Sequence, residues 1–170
     1  IRFEFENAFR DWYEERTGRT VDVDWRVIGG TSEIVRFVNS EFENAFRLHW
    51  TRELGREWTP EIRENFANRK YELPEDEDDY DEVDKARAAF LESEVSVGLD
   101  VFFGGGSYDF RRQAAQGFLV PWRTEEARRE LLPVDDFPIE FGGEPFRDED
   151  GLWIGAVLSG FGMVYNEDVL

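Results

Sequence analysis

Chemistry in this chain would have to start from two glycine-rich segments, Gly29-Gly30-Thr31-Ser32-Glu33 and Gly104-Gly105-Gly106-Ser107-Tyr108-Asp109. Each follows an apolar run and precedes a helical pattern. Glycine lets the backbone turn tightly and leaves its N–H groups accessible, and the hydroxyls of Thr31, Ser32 and Ser107 add polar contacts. Together these make a concavity suited to an anionic or polar small ligand. A third break, Ser159-Gly160, separates two apolar runs near the C-terminus. Neither glycine segment fits the G-x-x-x-x-G-K-[ST] phosphate loop and no lysine stands near either, so nucleotide hydrolysis is unsupported.

Other reactive constellations are thin. The single histidine, His49, lies beside Trp50 at a helix end with no serine nearby in a nucleophile setting. G-x-S-x-G is absent, so a Ser-His-Asp hydrolase finds little support, although Ser107 and Ser159 each adjoin a glycine. Carboxylate pairs such as Asp135/Asp136 and Asp148/Asp150 arise readily by chance among 39 acids, and Asp150-Gly151 reads as a hairpin turn. Residues 72–84 hold 9 acids among 13 positions and no base. They lack the spaced ligands and glycine of a calcium loop, so the run reads as solvated loop. No metal ligand and no cofactor is assigned, and with 0 Cys, thiolate sites and disulfides are excluded.

These residues need a scaffold, and the composition supports one. The 170 residues are 41% hydrophobic and 16% aromatic, enough to bury the core of one domain. A net charge of -19 opposes nucleic acid or an anionic membrane as partner. Among 20 basic residues only Lys70 and Lys85 are lysines, a composition that suits a strongly hydrated surface. No stretch approaches the ~20 apolar residues of a membrane span, and the first residues show no basic-then-apolar leader pattern.

Periodicity supplies the elements. Phe5, Ala8, Phe9, Trp12 and Tyr13 share one helical face, and Thr17-Gly18 ends that helix. Val21, Val23 and Trp25 alternate with Asp22, Asp24 and Arg26, a strand pattern running on to Ile28. Gly29-Gly30 then leads to a helix with Ile34, Val35, Val38, Phe42, Ala45 and Phe46 on one side. Helices are expected from Thr59-Pro60 to Phe66 and from Val83 to Leu91. A buried strand is expected at 99–103, then a helix from the triple glycine to Gly117 and an apolar run at 118–121. Strands at 152–158 and 161–165 follow a turn at 148–151. Alternating strands and helices predict an α/β fold with a mostly parallel sheet flanked by helices.

The phrases TSEIVRFVNSEF (31–42), DVFFGGGSYDFRRQAAQGFLVPW (100–122) and LWIGAVLSGFGMVYNEDVL (152–170) resemble the extracellular solute-binding proteins of ABC importers. Within these they are most similar to the family 1 and ferric-ion-type receptors. The resemblance implies one lobe of the type II periplasmic-binding fold over residues 1–170, with a crossing strand near the C-terminus. Residues 48–98 then form a helical and acidic insertion, and the chain is part of a longer two-lobed protein. It further implies a receptor that traps a ferric ion or a small anionic or organic solute between two lobes and delivers it to a membrane permease, without catalysis. The location implied is periplasmic or extracellular, with room for a lipid anchor in a longer protein. Partners would be the ligand, the permease and the second lobe.

First-lobe ligand contacts map by position onto Gly29, Gly30, Thr31, Ser32, Gly104, Gly105, Gly106, Ser107, Tyr108, Asp109, Ser159 and Gly160. Ferric-binding relatives often place a carboxylate where this chain has Gly104-Gly105-Gly106, a departure that leaves Tyr108 and Asp109 as the hard-oxygen candidates. The alternatives are a hydrolase using Ser107 or Ser159, or a ligand-sensing domain.

Overall fold

A computed structural model describes residues 2–122, 124, 126 and 137–155. Its elements are α1 (Arg2–Thr17), α2 (Thr31–Leu48), a π-helical turn (His49–Glu53), α3 (Pro60–Asn65), a 3-10 turn (Glu77–Asp79), α4 (Glu82–Glu92), α5 (Ser107–Gln116), β1 (Glu140–Phe141) and β2 (Glu144–Pro145). The chain divides into two compact units, Ile1–Ile34 and Val35–Leu170.

The expected α/β architecture is overturned. Helices dominate, and among the described residues the only sheet is the antiparallel hairpin pairing Glu140 with Pro145 and Phe141 with Glu144. Residues 21–26 keep the alternation that suggested a strand, with Val21, Val23 and Trp25 half-buried and Asp22, Asp24 and Arg26 exposed. They join no strand ladder among the described residues. The run at 99–103 behaves alike: Leu99 and Phe102 are half-buried, while Val101 is 76% exposed, so it is not covered on both faces. Alternation records which side chains avoid water, but a strand exists only where a second backbone supplies its N–H and C=O partners. Residues 118–121 likewise join no ladder. The strand expected at 161–165, with the crossing strand, lies outside the described residues, as do residues 156–158; the described part of the strand expected at 152–158, residues 152–155, forms only an isolated bridge at Ile154.

In the first unit, α1 covers the expected span, and the Gly18 N–H donates to the Glu14 carbonyl at 2.8 Å. Its apolar face stays partly open, with Phe5, Phe9 and Trp12 each at least 39% exposed. Arg10 bridges Glu6 and Asp22 at 3.1 and 2.9 Å, and the Trp25 indole N–H donates to Glu6 at 3.1 Å.

Packing in the second unit is aromatic. Val35, Val38, Phe42 and Phe46 recur at helical spacing along α2 and are buried. Phe42 stacks on Phe118 with ring centroids 4.3 Å apart, and Phe46 stacks on Phe66 at 5.3 Å. Phe90 of α4 meets Phe46 edge-on at 5.1 Å. Such pairs add about 0.5–1.5 kcal/mol each beyond area burial. The π-helical turn holds Trp50 against this cluster, and the indole N–H donates to the Glu57 carbonyl at 2.9 Å. Residues 48–98, read as an insertion, thus supply Trp50, Ile62, Phe66, Ala86 and Phe90 to the core.

The expected helix starts are present. Thr59 caps α3 ahead of Pro60, its hydroxyl accepting from the Ile62 N–H at 3.2 Å. Asp81 caps α4 reciprocally with Asp84. The acidic run is therefore solvated at 75–79 and does capping work at its end. The expected turn also forms: Gly151 N–H donates to the Asp148 carbonyl at 3.3 Å, and Arg147 bridges Ile154 antiparallel. Gly142-Gly143, both at positive φ, close the β1–β2 hairpin.

Candidate functional site

Both glycine segments lead into helices, as expected, and each lies in a different part of the chain. At Gly29-Gly30 the α2 first turn is closed by Glu33 and Ile34 N–H groups donating to the Gly30 carbonyl, both at 3.0 Å. Glu33 folds back over the glycines. A Cβ on Gly29 would meet the Glu33 Cβ at 3.1 Å, and one on Gly30 would meet the Glu33 Oε2 at 3.0 Å. The carboxylate thus sits where the positive end of the helix dipole would receive an anion. Thr31 is half-buried and Ser32 exposed.

The second segment is more open. Gly104 and Gly105 both take φ +106°, a region that side chains other than glycine rarely occupy. Gly106 is the extended N-cap of α5 and has no side chain to cap with, so the first-turn N–H groups of Ser107 and Tyr108 are left to other acceptors. Asp109 partly compensates, its Oδ2 accepting from the Gly106 N–H at a long 3.4 Å. All three glycines are exposed, Tyr108 is 64% exposed, and Ser107 and Asp109 are half-buried.

Tyr108 and Asp109, the hard-oxygen candidates, lie in the first turn of α5, where Asp109 also accepts from the Gly106 N–H. Ser159 and Gly160 lie outside the described residues. His49 is half-buried, and its Nδ1 lies 2.8 Å from the Glu53 Oε2. Among the described residues no group of three or more His, Asp or Glu side chains is placed to hold a metal ion, and no helix is long and apolar enough to cross a membrane.

Two polar features escape sequence reasoning. Arg87 of α4, 5% exposed, donates to the carbonyls of Phe66 and Gln116 at 2.9 Å each and of Ala115 at 3.3 Å. It ties the end of α3 to the end of α5, and burial lowers its pKa. Asp84, also buried, accepts from the Tyr71 hydroxyl at 2.9 Å and from the Asp81 N–H at 2.9 Å. Burial, this bond and the nearby acids push the Tyr71 phenol up to about 12. A lone Arg or Asp within a helical stretch carries no sequence signal of such roles, because the partners are carbonyls and hydroxyls far along the chain.

The comparisons with known proteins find no match, whether with family models, curated proteins or solved structures.

Proposed function

We propose that this chain is the solute-capturing part of an importer receptor, which holds a small polar solute or ferric ion for delivery to a membrane permease. The reading rests on the three receptor-like phrases in the sequence. The structural observation that supports it is the construction of the α5 start, where three exposed glycines lead to uncapped first-turn N–H groups with Ser107, Tyr108 and Asp109 beside them. Such a start accepts oxygen ligands through its backbone and offers hard oxygens through its side chains. The α2 start is a poorer receiver of a bare anion, because Glu33 already occupies its mouth.

The parallel sheet is not part of this proposal; what carries over is the local chemistry of the glycine segments. The experiment is thermal unfolding against Fe³⁺ with and without citrate, phosphate, sulfate, polyamines and sugars. A solute at 100 times its Kd stabilises by about 2.7 kcal/mol, a rise of roughly 5–10 °C for a chain of this size. The rise should be lost in Asp109→Asn or Gly105→Val. A flat response to every solute, or a rise that both variants retain, counts against the reading.

A further inference from the structure

An open basin of about 390 Å³ is lined by Glu64, Ala67, Asn68, Arg69, Lys70, Arg112 and Gln116. One wall is the turn after α3, where the Lys70 N–H donates to the Asn68 Oδ1 and the Tyr71 N–H to the Asn68 carbonyl, both at 3.0 Å. The other wall is α5, on which Arg112 and Gln116 stand one turn apart on a common face. Arg87 clamps the two walls through the Phe66 and Gln116 carbonyls.

The basin's charge runs against that of the chain. In a protein of net charge -19, its lining sets three cations against one carboxylate, Glu64. Several cations outside it are ion-paired: Arg10 with Glu6 and Asp22, Arg56 with Glu82, Arg63 with Glu43 and Lys85 with Glu82. Among the described residues, Arg69, Lys70 and Arg112 have no carboxylate within 4.0 Å.

Gln116 adds a second, independent mark. Its Nε2 donates to the Asn39 Oδ1 at 3.2 Å, while its Oε1 is buried without a hydrogen-bond partner. A buried acceptor left unmatched is unfavourable until a donor reaches it.

We propose that this basin binds a small, multiply charged oxyanion of the hydrogen-phosphate class. Guanidinium groups match tetrahedral oxyanions with paired N–H donors, Lys70 adds a point charge, and the P–O–H of hydrogen phosphate is a donor that sulfate lacks at neutral pH. The site shares no residue with the glycine segments and does not rest on the receptor reading.

The test is calorimetric titration of the whole chain with inorganic phosphate at constant ionic strength. Saturable binding at one site is expected, weakened about tenfold in both Arg112→Gln and Lys70→Gln, the scale of one charge-assisted hydrogen bond. Arg111→Gln, on the same helix but outside the basin, should bind as wild type, and sulfate should bind several-fold more weakly than phosphate. Unchanged melting curves for the variants separate lost binding from lost fold. Heats no larger than those for chloride, wild-type affinity in both basin variants, or equal affinity for sulfate and phosphate would each overturn the proposal.

Discussion

Replacing Arg87 by Met should be among the most damaging single changes in the chain that leave the aromatic core untouched. The side chain is 5% exposed and donates to three main-chain carbonyls, two of them at 2.9 Å. These carbonyls end α3 and α5, where the helix dipoles present partial negative charge that a buried cation offsets. Losing these three charge-assisted bonds, the two short ones above all, and leaving buried acceptors unmatched costs about 3–6 kcal/mol. Against this, methionine removes the desolvation penalty of the guanidinium, the same penalty that lowers its pKa. The net expectation is a loss of about 2–4 kcal/mol, or roughly 5–15 °C in Tm.

Urea unfolding followed by tryptophan fluorescence reports it well, since Trp50 is 1% exposed in the core. The midpoint should fall with an unchanged slope. Arg87→Lys should recover less than half of the loss, because one ammonium cannot span carbonyls at the ends of two helices. A change under about 0.5 kcal/mol in Arg87→Met, the size of an ordinary surface substitution, or full recovery by lysine would refute the clamp.

Tyr71→Phe should cost about 1 kcal/mol by removing the donor to buried Asp84. Its pH dependence follows from the raised phenol. The stabilisation is complete below the unfolded tyrosine value of about 10 and is lost as pH rises from there toward about 12. Alkaline unfolding curves of wild type and Tyr71→Phe should therefore converge over that range, and parallel curves would contradict the assignment. Gly117→Ala should destabilise by about 1–3 kcal/mol, since the new Cβ would sit at φ +88° and 2.7 Å from the Leu91 Cδ2. Leu91→Ala in that background should return part of the loss in thermal melts, leaving the backbone component.

Local chemistry made much of this protein legible from its residues. Thr59-Pro60 starts a helix because a hydroxyl caps the free N–H groups and proline needs none, and α3 begins there. Gly117 stops α5 because the terminating residue adopts a left-handed backbone, with N–H bonds from Gly117 to the Ala114 carbonyl and from Phe118 to the Gln113 carbonyl. Likewise the spacing of Val35, Val38, Phe42 and Phe46 marks one helix face, and all four are buried. Each of these depends on neighbours within about five positions.

Partners far along the chain were decided only in three dimensions. The alternation at 21–26 survives as alternating exposure, yet whether it becomes a sheet depends on a second backbone strand that no local pattern specifies. Residues 48–98 read as an insertion because the resembling phrases skip them, and their aromatic residues close the core around Phe46. The same holds for the basin: Asn68-Arg69-Lys70 and Arg112 are unremarkable apart in sequence, and only folding brings their charges to one place, where electrostatic attraction, which depends on distance through space, can act on a ligand.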